Sequence, residues 1–361
     1  MNTQPIVTVQ LSMAAVTLVL GALLALIPGL TRPSLFFSVT VPPSLRNTPE
    51  GRRVAGRYRA LVIAGTVFGL ALALTLSPAR HPRVAPWPPI VVLAVALAAF
   101  LDARRRVLPR AAPPSPEREV ELSPRTISLP GGWPGQAGPF ALLAAVAAWL
   151  GLHWEKIPAR FPVHWGIDGR PNGWASRTPA GVFAGLAGGA AVCALLVLIA
   201  FGITRWSRRI HAAGAAGKRE LHFKHLVLIV LLASEYVLAA VNGWVALLPL
   251  TGLEKPGLAA GLILGLTTLL MIVLVFVLVR TGQGGSRLDG PAETGSEAAT
   301  GDRSEDRCWK AGLFYVNRND PAIFVEKRFG IGYTVNFGNP WSWAILGLII
   351  LPALMVWILV R

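Results

Sequence analysis

The chain has 361 residues, 53% of them hydrophobic and only 14% charged, with a mean hydropathy of +0.54. A soluble domain carries about 25% charged residues, so this composition excludes an ordinary soluble domain and points to a membrane protein. The net charge of +16 would suggest nucleic acid in a soluble protein. No nucleic-acid motif is present, however, and Arg and Lys collect in the cytoplasmic loops of membrane proteins, so no nucleic-acid partner is expected. The two cysteines, Cys193 and Cys308, form neither a disulfide framework nor a metal spacing, and Cys193 reads as a small packing residue.

A membrane span needs about 20 apolar residues. Run one, Ile6 to Leu30, satisfies this, is longer than a signal-peptide core and has no basic residue before it. A basic loop carrying Arg32, Arg46, Arg52, Arg53, Arg57 and Arg59 separates it from run two, Ala60 to Leu76. Run three, Trp87 to Leu101, and run four, Phe140 to Leu152, are short; tilted spans and re-entrant pieces both fit them. The loop between them is rich in Arg and Pro and ends in the turn-like GGWPGQAGP. Run five is Ala180 to Ile203, run six Leu226 to Leu248 and run seven Leu258 to Val279. Residues 281–308 are rich in Gly, Ser, Thr, Glu and Asp, a composition expected of a flexible linker. An aromatic stretch, 309–340, precedes run eight, Trp341 to Val360.

With the N-terminus outside, the four inner segments hold 26 basic residues and the five outer segments 8. Every inner loop exceeds every outer one, as the positive-inside rule requires. The expected fold is therefore an all-α integral membrane protein of about eight transmembrane helices in a bacterial inner membrane, with both termini out. Its parts are helices 1–3 with basic loops (1–138), a core (139–280) with an outer loop (153–179), the linker, a cytoplasmic aromatic module (309–340) and a last helix (341–361).

The outer loop holds the densest group of functional side chains: His164, Trp165, Asp168, Gly169, Asn172 and Trp174, within FPVHWGIDGRPNGW. Pro158, Pro162 and Pro171 forbid a continuous helix. Asp168-Gly169 and Asn172-Gly173 are turn-forming pairs, so a folded loop with tight turns is expected. The pattern P-x-x-x-P-V-H-W-G-x-D-G-x-P-N-G-W after a span resembles the signature of the SdpI-like bacterial membrane family, over about residues 140–200. The matching positions are Pro158, Pro162, His164, Gly166, Asp168, Gly169, Pro171 and Trp174, with Arg177 near a position where relatives often carry lysine. The resemblance implies a membrane topology and, for function, immunity to a secreted killing peptide and signalling.

The C-terminal stretch WKAGLFYVNRNDPAIFVEKRFGIGYTVNFGNPWSW is similar to a small uncharacterised bacterial module that accompanies the first one. Leu313 to Val316 and Ile323 to Val325 are β-prone and Asn317 to Pro321 reads as the turn between them, giving a two- or three-stranded hairpin against the inner face. Lys327 and Arg328 are candidates for contact with anionic headgroups.

His164 and Asp168, with His153 and Glu155, invite a metal or acid–base hypothesis. A metal site needs three or four convergent ligands, and this spacing matches no zinc motif. The plainer reading is that His164 and Asp168 bond the loop backbone. Nucleotide, hydrolase and metalloprotease motifs are absent, so no catalytic residue, no cofactor and no metal is expected, and the chain is not read as an enzyme. Within run six, Glu235 and Asn242 lie two helical turns apart on one face. A carboxylate inside a span is costly, so either a proton or cation relay, an interhelical hydrogen bond, or a shorter span accounts for it. The expected partners are membrane lipid, a peptide or envelope ligand outside and a protein inside. Glycines at four-residue spacing on runs five and seven suit helix packing or a homo-oligomer. An SdpI-like protein active in immunity or signalling is the first functional reading; a small-solute or ion transporter using Glu235 is the second.

Overall fold

The computed structural model describes residues 4–76, 86–112, 127–165, 171–207, 214–251, 256–287 and 303–348. Seven helices are α1 (Gln4–Leu30), α2 (Pro49–Thr75), α3 (Trp87–Val107), α4 (Gly132–Leu152), α5 (Pro179–Trp206), α6 (Gly214–Thr251) and α7 (Pro256–Thr281). Among the described residues, α1 to α6 each contain a segment long and apolar enough to cross a membrane, so the chain is a multi-pass membrane protein in contact with lipid. Short runs three and four are included, because their helices extend well past the apolar residues. Run seven, Leu258 to Val279, lies within α7. Run eight begins as helix over 340–348, and its remainder lies outside the described residues.

The helices do not stop where hydropathy stops. Arg52, Arg53, Arg57 and Arg59, read above as loop, belong to α2, which begins at Pro49 with the Thr48 hydroxyl accepting from Gly51 N–H at 3.1 Å. Proline in the first helical turn and a threonine cap are a normal start, and Arg is a good helix former. The expected turn GGWPGQAGP is likewise helical and forms the start of α4, with Pro139 inside it. Proline inside a helix leaves the carbonyl four residues earlier without its donor. Here the Tyr236 hydroxyl donates to Gly135 O at 3.1 Å. The same repair occurs in α1, where Pro28 frees Leu24 O and the buried Tyr58 hydroxyl donates to it at 3.0 Å. In these two helices a tyrosine from a neighbouring helix thus makes the internal proline tolerable in an apolar setting.

Two three-helix groups result. In the first, α1, α2 and α3 surround a core of Tyr58, Val62, Ala96, Ala99 and Phe100. In the second, α4, α5 and α6 close over Leu143, Leu150, Val182, Leu186, Cys193 and Ala239. Gly189 of α5 lies against Asn242 of α6; a Cβ there would come within 2.8 Å of the Asn242 amide carbon. Nothing among the described residues lies within 4 Å of where a side chain would begin at Gly185 or Gly265, so of the glycines at four-residue spacing Gly189 is the one seen against a neighbouring helix.

Four short antiparallel strand pairs cap the bundle. The pair β1 (Leu35–Phe36) and β2 (Val39–Thr40) turns through Phe37 and Ser38, both at positive φ (47° and 62°). Such a turn normally takes Asn-Gly. Here Arg104 donates to Phe37 O and Ser38 O at 3.3 and 2.9 Å, while the Phe37 ring is buried against Tyr58 and Phe100. At the other end of the bundle β3 (Arg160–Trp165) pairs with β4 (Pro171–Ser176). The C-terminal stretch contains β5 (Trp309–Lys310) with β6 (Phe314–Tyr315), and β7 (Phe324–Glu326) with β8 (Tyr333–Val335). This pairing differs from the expected one, in which residues 313–316 and 323–325 were partners. Ala311 and Gly312, both at positive φ, close the first pair locally. The Asn317–Pro321 segment is held instead by Asn336.

Candidate functional site

The loop that resembles the SdpI-like signature is a β-hairpin. Its register pairs Arg160 with Ser176, Phe161 with Ala175, Pro162 with Trp174, His164 with Gly173 and Trp165 with Pro171, with irregularities on either side of His164. Asn172-Gly173, expected as a turn, therefore lies in strand β4. The irregular register gives that glycine a place in the strand, since bulges accept it readily. The backbones of His164, Trp165 and Asn172 belong to the hairpin, but their side chains, and Asp168 and Gly169 entirely, lie outside the described residues. Trp174 is 49% exposed, with the Arg160 guanidinium 5.3 Å from its ring centre. The hairpin base is anchored: Phe161 and Ile157 are buried on α4 and α5. Arg177 Nη1 donates to the carbonyls of Glu155 and Ile157 at 3.1 and 3.2 Å and pairs with the Glu155 carboxylate at 3.1 Å. A rigid base with an exposed tryptophan suits contact with something outside the fold.

Helix α5 leads from this hairpin to the opposite end. It starts at the Thr178 cap, whose hydroxyl accepts from Gly181 N–H at 3.1 Å. It ends at Trp206, whose carbonyl accepts from Ile323 N–H at 2.8 Å, and Ser207 bridges to Phe324. Gly202 leaves the room that the Phe324 ring fills; a Cβ there would lie 2.6 Å from it.

The module around residues 303–340 gathers other helix ends at the same place. Thr40, after α1, donates its hydroxyl to Asp306 Oδ1 at 2.8 Å, and Arg328 pairs with the same carboxylate. Phe329 inserts between the helices, with ring centres 4.3 Å from Phe100 on α3 and 6.1 Å from Tyr58 on α2. Arg32 pairs with Glu326 at 2.5 Å. Gln283, after α7, accepts from Arg32 N–H at 3.2 Å and donates to Lys327 O. The ends of the segment read as a linker are thus folded: 281–285 are buried and Arg303–Cys308 forms a 3-10 helix. Hydrogen bonding overrides composition there, while 288–302 lie outside the described residues. Arg328 is 7% exposed and faces Asp306 and the Trp309 ring, which corrects the expectation that it meets headgroups. A cleft of about 160 Å³ between Trp309, Leu313 and Phe329 is smaller than the roughly 300 Å³ at which ligand pockets begin.

Glu326 is electrostatically unusual. Burial pushes its carboxyl up to about 7, with Glu220 adding to the shift, and this outweighs the opposing attraction of Arg32. Its Oε1 has no hydrogen-bond partner among the described residues. A carboxyl whose folded pKa is raised binds its proton more tightly in the folded state. Its contribution to stability is therefore greatest below about pH 4.5 and is lost as pH rises towards about 7. Thermal unfolding in detergent should show a stability decline over that window, of about 3 kcal/mol at most, which Glu326→Gln removes. An unchanged pH profile in the variant would assign the decline elsewhere.

Glu235 lies near the middle of the Lys218–Leu250 segment, is fully buried, and neither carboxylate oxygen has a hydrogen-bond partner among the described residues. Of the readings open in the sequence, the shorter span is not seen, and no interhelical bond to the carboxylate is present among the described residues. The nearest polar contact is to its backbone, where Cys193 Sγ–H donates to Glu235 O at 3.7 Å. Cys193 is fully buried, as its packing role requires. Asn242 does not reach Glu235; it donates to Leu238 O in its own helix at 2.9 Å. Among the described residues no group of three His, Cys, Asp or Glu side chains converges as a metal site would.

Sequence reasoning missed Asp306, Glu326, Phe329 and Asn336. The one signal for them is polar and aromatic residues alternating within a stretch otherwise suited to strands. Comparison with known families bears on both ends of α5. Residues 141–186, covering most of α4, the hairpin and the start of α5, match a domain of unknown function (DUF1648). Residues 318–343, covering β7, β8 and the start of the last helix, match a family of unknown function (DUF5808). No curated protein and no solved structure matches the chain. The molecule is thus a multi-pass membrane protein in which the stretches similar to these two families meet opposite ends of α5.

Proposed function

We propose that this is a non-enzymatic envelope protein of the SdpI-like type, in which the outer hairpin recognises a membrane-active peptide and the module relays its state to a cytoplasmic protein. The observation that carries the reading is the continuity of α5, which ends on the hairpin base at Thr178 and on the module at Trp206. A shift of the hairpin has a direct mechanical route to the helix-end junction. The excess of basic residues on the module side supports a cytoplasmic position for it in a bacterial inner membrane, with eight spans and both termini outside. His164, Trp165, Asp168, Gly169, Asn172 and Trp174 are the recognition residues on this reading. Deleting the gene should raise sensitivity to secreted membrane-active peptides. Wild-type protein should restore resistance; Trp174→Ala should not, because it removes an exposed ring from the recognition face. Equal sensitivity of deletion and parent strains would end this reading.

A second reading, transport of a small solute or ion, is favoured by one observation: the carboxylate of Glu235 is buried mid-span without a hydrogen-bond partner among the described residues. Such residues commonly mark ion or proton paths. Flux in proteoliposomes that is abolished by Glu235→Gln supports it, and flux that survives the substitution removes Glu235 from any path.

A further inference from the structure

At the module end, the first helical hairpin carries a groove of about 340 Å³ lined by Gly29, Phe36, Arg46, Arg52, Ala55 and Arg59. Its charge is one-sided. Arg46 is held rigidly, its guanidinium donating to Pro28 O at 3.1 Å, Thr31 Oγ1 at 2.6 Å and Arg32 O at 2.7 Å, and also to Leu35 O. All of these acceptors are neutral, and among the described residues its charge has no acidic partner and its buried Nε no hydrogen-bond partner. Burial lowers its pKa only to about 10, so it is a cation at neutral pH. Arg52 and Arg59 are seven residues apart, two turns along one face of α2. Between them stand Ala55 and Gly56, and nothing lies within 4 Å of where a Gly56 side chain would begin. The guanidinium of Arg59 and that of Arg287, after α7, both approach Gly29.

Among the described residues, Glu50 is paired with Arg110, Asp102 with Arg57 and Arg106, Glu326 with Arg32, and Asp306 with Arg328. Neither Arg52 nor Arg59 has an ion pair among the described residues. A fixed arginine and two exposed ones along a helix face, with no acid paired to any of them among the described residues, form a set of donors suited to a tetrahedral oxyanion. Along the same face of α2, the next side chains after Arg59 are Ile63 and Val67, 55% and 60% exposed. The groove therefore sits where the charged helix end gives way to a lipid-facing surface.

We propose that this groove is a phosphate-anion site at the membrane surface, with Arg46, Arg52 and Arg59 as its ligating residues. Two sources carry that chemistry, an anionic phospholipid headgroup and free inorganic phosphate. The continuing apolar face favours the headgroup, whose acyl chains would lie along Ile63 and Val67. The experiment is native mass spectrometry of the full chain, delipidated in detergent and titrated separately with phosphatidylglycerol and with inorganic phosphate. Arg52→Gln/Arg59→Gln is the test variant, and Arg53→Gln/Arg105→Gln is a charge-matched control at exposed positions outside the groove. The expected result is saturable binding of one phosphatidylglycerol, weakened about tenfold or more in the test variant and unchanged in the control. Saturable binding of inorganic phosphate with the same dependence on Arg52 and Arg59 supports the site and assigns it to the free anion. Equal weakening in both variants reduces the effect to general charge attraction and overturns the proposal, as does binding that neither variant changes.

Discussion

Asn336→Ala is expected to unfold the module locally, at a cost of about 3 kcal/mol or more. Asn336 is fully buried and makes five hydrogen bonds. Its Nδ2 donates to the carbonyls of Asn317, Asp320 and Ala322 at 2.8, 3.1 and 3.2 Å. Its Oδ1 accepts from the backbone of Asn317 and Gly338, each at 3.0 Å. One side chain thus takes the place of a strand ladder for the 317–322 segment, and truncation strands five backbone groups away from water. Asn336→Asp should fare no better, because it keeps the acceptor but turns a negative oxygen on three carbonyls. Hydrogen exchange or limited proteolysis of 309–340 is the suitable measurement, since loss of the module need not unfold the bundle. Protection equal to wild type in Asn336→Ala would show that another contact holds this segment.

The second large effect has the opposite sign. Glu235→Leu should stabilise the protein, by about 2–3 kcal/mol, because an unpaired carboxylate in the middle of a span costs that order of free energy. Glu235→Gln should gain less, since an amide still lacks partners there. Neither change touches the backbone contact with Cys193, so helix packing is preserved. Thermal unfolding in detergent decides it: a lower melting temperature in both variants would mean that the carboxylate has a stabilising partner, such as bound water. If the gain is found, the wild-type chain keeps an acid at a thermodynamic loss, and a role beyond packing has to explain why.

The membrane-spanning character was legible because it depends on composition summed over many residues. The end of each helix was not. Arg52 to Arg59 and Arg104 to Arg106 are polar by hydropathy and helical by backbone, and hydropathy reports only the first property. The turn at Phe37-Ser38 was invisible for a related reason. No local propensity favours it, and it exists because Arg104 and the aromatic core, both distant in sequence, hold it. Within the outer loop, prolines and glycines announced a non-helical fold. They did not distinguish a turn at Asn172-Gly173 from an irregular strand, since both use the same backbone freedom. Asn336 was hidden altogether: a buried asparagine satisfied on five sides and one in solvent look identical in a sequence.

The clasp that Asp306, Glu326 and Arg328 form with Thr40 and Arg32 has a consequence for assembly. The bonded partners Thr40 and Asp306 are 266 residues apart, and Arg32 and Glu326 are 294 apart. Contacts this distant form late, because the chain entropy of closing the loop precedes any gain from the bond. The C-terminal residues of the clasp leave the ribosome after α1 to α7, so the helices are synthesised before the module can tie their ends together. The module thereby acts as a final lock on helices already made. A chain halted before residue 303 would hold the same spans with their junction open, a state that surveillance proteases could tell apart from the finished protein.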